Sequence, residues 1–105
     1  VGGYVQAGEL PEHSARREVL EELSMTCETM ESLGSYRTDA NRGFGTLHSF
    51  VGRGCKKGAG PDYDDSDLEQ QRVLRRTPEE LKEDLLQGRF KEVKWAATVA
   101  MALLR

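Results

Sequence analysis

Three glutamates stand close together in one short stretch, Arg17-Glu18-Val19-Leu20-Glu21-Glu22. On a helix, positions 18 and 22 lie one turn apart and position 21 sits beside them, so all three carboxylates share a face. Like charges one turn apart cost a helix a few tenths of a kcal/mol, roughly, and the fold gains nothing from them. A cation reverses that sign. Clustered carboxylate oxygens are the donors that Mg²⁺ or Mn²⁺ prefers, which makes Glu18, Glu21 and Glu22 candidate metal ligands. The plain alternative is a solvated helix face in which Arg17 pairs with Glu21 across one turn.

These side chains need a helix to carry them, and the flanking sequence predicts one over residues 10–24. Pro11 suits the first turn, where its missing N–H is no loss. Ala15, Val19 and Leu23 recur every four residues as the buried stripe. Leu10 is a poor residue for the N-cap. Residues 28–37 read as a strand interrupted by Gly34, residues 39–45 as turn chemistry, and residues 46–51 as a second strand. In that second strand Leu47 and Val51 share one face with Ser49, and Thr46, His48 and Phe50 share the other. Residues 52–67 are rich in glycine and swing from basic to acidic, which reads as a long loop. A third strand is predicted over residues 69–76. Thr77, Pro78 and Glu80 spell a helix start with a capping box. Leu81, Leu85 and Leu86 give that helix its apolar side, and Gly88 ends it. A last helix is predicted over residues 91–105, burying Val93, Ala96, Ala97, Ala100, Met101 and Leu104. One helix, three strands and two helices in that order belong to an α/β or α+β domain.

With 105 residues the chain has room for one small domain. Charged residues make up 31% and hydrophobic ones 37%, a lean supply for a core. A net charge of −3 without a long basic run argues against nucleic acid as a partner. The apolar run at residues 95–104 falls short of the ~20 residues that span a membrane, so no membrane partner is expected. Cys27 and Cys55 match no metal motif or disulfide framework and read as two reduced thiols. Thiols of that kind place the protein in the cytoplasm, or in an organelle if a targeting segment precedes Val1. No signal peptide is evident, and the first residue is Val. The chain therefore reads as the remainder of a longer protein.

The wider spacing carries more. Gly3 is followed after five residues by Glu9, and after seven more by Arg17-Glu18, the apolar Val19 and Glu21-Glu22. This resembles the box of the Nudix hydrolase family, G-x5-E-x7-R-E-U-x-E-E-x-G-U, with U a bulky aliphatic residue. Chance matching of its fixed positions is at most on the order of one in a million per window, from ordinary residue usage. The resemblance implies an α/β fold with a mixed β-sheet between helices, an α/β/α sandwich. Residues 1–105 would then be a single partial domain whose N-terminal strands are missing. It implies metal ligation by Glu18, Glu21, Glu22 and the carbonyl of Gly2, close backbone approach at Gly3, and a bracing salt bridge between Glu9 and Arg17. Ser24 departs from the pattern where the family has glycine. A side chain there resists the left-handed turn that ends the helix, at about 1–2 kcal/mol.

The rest of the chain looks like the ADP-sugar (ADP-ribose) pyrophosphatase branch of that family, in residues 33–50, 65–73 and 88–104. This implies a hydrolase cleaving the diphosphate of a nucleoside diphosphate linked to a sugar, with Mg²⁺ or Mn²⁺ as cofactor. Glu18, Glu22 and Glu69 would be catalytic, Glu69 as a base or further ligand, with Asp65 or Asp67 as its alternatives. Arg42 in the 39–45 turn is a candidate contact for phosphate or sugar. His48 reads as structural. The branch also implies dimer contacts, so a homodimer is an open partner. The alternative is a non-catalytic or truncated Nudix-like module that binds a nucleotide or a protein.

Overall fold

The structure, a computed structural model, describes residues 1–39, 41, 42, 44–58 and 73–105. They form helix α1 (Pro11–Leu23), strands β1 (Met25–Asp39) and β2 (Phe44–Lys57), and helices α2 (Pro78–Leu86) and α3 (Val93–Leu103). The two strands pair with each other, and the few residues joining them permit only an antiparallel hairpin. The α/β class stands, with a two-stranded sheet among the described residues. None of the described helices is long and apolar enough to cross a membrane.

The chain divides into two compact units, and the hairpin contributes to each. The first holds Val1–Glu31 and, among the described residues, the end of β2 from Gly52 onward. Its helix α1 begins with Pro11 in the first turn, and Leu10 offers no capping side chain. Arg16 pairs with Glu12 one turn back at 3.6 Å. The expected stripe of Ala15, Val19 and Leu23 is half-buried, and Ser14 is buried outright. The helix ends at Ser24 in the left-handed region, φ 55° and ψ 36°, where its N–H bonds the Leu20 carbonyl. The Ser24 carbonyl accepts the N–H of Gly58 at 2.7 Å, which ties the helix end to the end of β2.

Both strands outrun the sequence reading, which had strands over 28–37 and 46–51 only. Residues 52–57, expected in a loop, belong to β2. Glycine and lysine argue against a strand by propensity, but cross-strand pairing satisfies the backbone whatever the side chains are. That pairing also overturns the reading of Cys27 and Cys55 as reduced thiols. They face each other across the hairpin with Cα atoms 3.8 Å apart and are joined as a disulfide. They lie 28 positions apart in sequence, so only strand register reveals the contact.

The second unit holds Ser32–Val51 and Arg75–Arg105. Its first helix starts as expected: the Glu80 N–H donates to Thr77 Oγ1 at 3.1 Å and the Thr77 N–H donates to Glu80 Oε1 at 2.9 Å. Arg76 and Arg89 converge on Asp84, a side chain only 12% exposed, at 2.9 and 2.8 Å. Gly88, at φ 67°, follows the helix end. Residues 73–76 form no strand, contrary to expectation, and the remainder of that predicted strand lies outside the described residues. Helix α3 packs against α2, and Ser49 of β2 meets Thr98 of α3, hydroxyl to hydroxyl at 2.8 Å. The expected buried set of α3 is only partly covered. Ala96, Ala100 and Met101 are half-buried, while Val93, Ala97 and Leu104 are exposed, as is Leu86 of α2. Met30 and Leu33 are the only buried apolar side chains among the described residues, which matches the lean composition.

Candidate functional site

The loop before α1 and the first turns of α1 are organised around one guanidinium. Arg17 Nε and Nη2 donate to the two oxygens of Glu9 at 2.9 and 3.1 Å, a bidentate fork. Its Nη1 donates to Glu18 at 2.8 Å and to Glu21 at 3.2 Å. Nη2 also donates to the carbonyl of Tyr4 at 3.1 Å. Glu9 in turn accepts the N–H of Gln6, so the loop is folded back onto the helix. The Arg17 fork, with the Gln6 N–H behind it, holds the Glu9 carboxyl down to about 2 against an ordinary 4.5.

Two glycines let the carboxylates come close to the loop. The Glu18 carboxyl occupies the space that a Cβ on Gly3 would fill. The Glu22 carboxylate accepts the backbone N–H of Gly2. Partial burial raises the Glu22 pKa above its ordinary value. Glu18 and Glu21 add to that rise, while the N-terminal ammonium and the Gly2 N–H oppose it. The structure thus brings together Gly2, Gly3, Glu9, Arg17, Glu18, Glu21 and Glu22.

The chain matches the family model of the NUDIX domain over residues 1–101. It belongs to the Nudix family. No individual curated protein matches it. Nudix proteins are pyrophosphohydrolases: they hydrolyse phosphoric anhydrides, act on nucleoside diphosphate derivatives and generally use divalent cations such as Mg²⁺. The hard oxygen donors gathered around Gly2 and Gly3 suit such an ion. As they stand, no three acidic, His or Cys side chains among the described residues converge on one point. Arg17 holds Glu18 and Glu21, so a cation there competes with a guanidinium for both.

Arg42 and His48 belong to the second unit. Arg42 stands in the turn between the strands, within the second unit, and is 75% exposed. It lies 3.6 Å from Asp39, whose carboxylate also accepts the Arg42 N–H. His48 Nδ1 lies 2.7 Å from Ser35 Oγ, a cross-strand tie that fits a structural role. Glu69, Asp65 and Asp67 fall outside the described residues. Sequence reasoning missed Arg16, whose Nη1 donates to the Cys27 carbonyl at 2.8 Å, and the Tyr4 carbonyl beneath Arg17. Both contacts use backbone acceptors distant in sequence, which no residue pattern announces.

Proposed function

We propose that the chain is the catalytic part of a nucleoside diphosphate-sugar pyrophosphatase, acting on ADP-ribose or a similar ADP-sugar. What supports this is the carboxylate cluster: Glu18 seated against Gly3, Glu22 on the Gly2 N–H, and Arg17 forked onto Glu9 to fix the loop. In this reading Glu18, Glu21, Glu22 and the Gly2 carbonyl hold Mg²⁺ or Mn²⁺. Such an ion, when bound, offsets diphosphate charge and lowers the pKa of a water. Glu9 and Arg17 position the loop and take no proton. Glu22 shares the proton-accepting role with Glu69. The water oxygen bonds to one phosphorus, the bridging P–O bond breaks, and ADP-ribose yields AMP and ribose 5-phosphate. Arg42 is assigned to a phosphate or sugar oxygen. In this reading the chain forms a homodimer, which sedimentation of the purified protein over a concentration series tests.

A second reading, a nucleotide- or protein-binding module without turnover, is favoured by the hold of Arg17 on Glu18 and Glu21. The deciding assay measures phosphate released by a coupled phosphatase from a panel of nucleoside diphosphate sugars with Mg²⁺ or Mn²⁺. Glu22→Gln runs beside it. Turnover that disappears in the variant supports the hydrolase. A folded chain that binds the cation and turns over nothing in the panel gives the binding module.

A further inference from the structure

We propose that Cys27–Cys55 is an exchangeable clasp, opened by a low-molecular-weight thiol, which sets how firmly α1 is seated on the hairpin. Three ties form a closed circuit through the first unit. Arg16 of α1 donates to the Cys27 carbonyl of β1 at 2.8 Å. The Cys27 sulfur is bonded to Cys55 of β2. Three residues beyond Cys55, the Gly58 N–H returns to the Ser24 carbonyl at the end of α1. The disulfide is the covalent member of this circuit, and each hydrogen-bonded member joins α1 or its end to a residue within three positions of one of the two cysteines.

The seat of α1 has little else at this place. A groove of about 200 Å³ lies beside the clasp, lined by Val19 and Leu20 of α1 and by Met25, Cys27 and Met30. Side chains that fail to close over each other give little resistance to local opening. The sulfurs themselves sit over Gly52, where a Cβ would come within 2.8 Å of the Cys27 sulfur and 3.1 Å of the Cys55 sulfur.

Access favours exchange at Cys55, and the charges beside it are mixed, the Glu28 carboxylate lying against Gly54. Cys55 is exposed, whereas Cys27 is half-buried, and exposed Lys56 and Lys57 follow Cys55 in the chain. Neighbouring cations attract an anionic thiol such as glutathione and stabilise thiolates. A glutathione thiolate attacks the Cys55 sulfur, forming a mixed disulfide, and Cys27 leaves as a thiolate that takes a proton from water. A second glutathione thiolate attacks the glutathione sulfur of the mixed disulfide and releases Cys55. The protein disulfide gains two electrons and two protons, and two glutathiones become one glutathione disulfide. Reduced thiols and the observed disulfide are then two ends of one equilibrium. This concerns the seating of α1 and stands whether or not the chain hydrolyses a nucleotide.

The test takes the oxidised full chain into about 5 mM glutathione near neutral pH, within the range where thiol exchange is fast enough to follow. Alkylation and mass measurement read the two cysteines, and hydrogen exchange reads the amides. Two alkylated cysteines are expected, with amides of α1 exchanging at least about tenfold faster and those of α2 and α3 unchanged. Oxidised glutathione restores the slow rates. The Cys27→Ser, Cys55→Ser double variant shows the fast α1 pattern with or without thiol. Should that variant not fold, the wild-type comparison decides alone. A disulfide that resists glutathione, or α1 rates equal in both states, overturns the proposal. Faster exchange throughout the chain also overturns it, because the bond would then be a general staple.

Discussion

Ser24 is the residue at which the family pattern and this chain part, and the backbone there does what glycine would do. Its φ of 55° lies in the left-handed region, so the side chain is carried at a cost. Ser24→Gly is expected to stabilise the fold by about 1 kcal/mol, a rise in Tm of about 4–8 °C, read by thermal unfolding. Ser24→Ala, which keeps a Cβ in the same conformation, should give no such gain. Glu22 presents the opposite case, a residue whose charge the fold resists. A carboxyl with a raised folded pKa gives its full stability below the unfolded value, and that stability is lost as pH rises through the folded value. Glu22→Gln removes the charge and can still accept the Gly2 N–H. The variant is therefore expected to unfold no more easily than the parent at pH 8, while hydrolysis falls by at least about a hundredfold. A drop in Tm at pH 8 alongside lost turnover would show instead that the charge helps hold the loop.

Among the elements, helix starts were the most legible. Pro11, and then Thr77, Pro78 and Glu80, act through bonds closed within four residues, so their meaning survives without knowledge of the fold. Thr77→Ala should cost about 1 kcal/mol and speed exchange in the first turn of α2, and Thr77→Ser should restore both. Strand ends were poorly legible, because Gly52, Gly54 and Lys57 are strand residues only by virtue of a partner strand. The disulfide and the Arg16–Cys27 contact were hidden for the same reason. Burial on α3 was read from periodicity alone, which gives the face of a helix but not whether anything covers it; Val93 and Leu104 are exposed. In the candidate site the grouping of Glu18, Glu21 and Glu22 followed from helical spacing. The pairing of Arg17 with Glu21 followed from it too, but the hold of Arg17 on Glu18 did not, since a guanidinium can fork in several directions.

For the molecule as a whole, carboxylates with lowered and raised pKa values set a dependence on pH with two limbs. Glu9, Glu80 and Asp84 are each held below their ordinary values, chiefly by the Arg17 fork, by the Thr77 backbone N–H and by Arg76 respectively. Their contributions are present above the unfolded pKa values, 4.5 for the glutamates and 3.8 for Asp84, and are lost as pH falls through the lowered ones. Acid unfolding is therefore expected to extend toward pH 2, the value to which Glu9 is drawn, and Glu9→Gln should flatten that limb in a denaturation series. The other limb belongs to Glu22 and runs the opposite way, weakening the fold as pH rises above 4.5. A divalent cation acts on this second limb. It binds the charged carboxylates of the native state and so stabilises by mass action, more strongly where Glu22 is ionised. Tm should rise with added Mg²⁺ at pH 8, by about 2.7 kcal/mol of stabilisation at a hundredfold excess over Kd, and much less at pH 5. Chelation should reverse the rise, and Glu22→Gln should shrink it. An equal rise at both pH values, or in the variant, would place the cation away from the Glu18–Glu22 face.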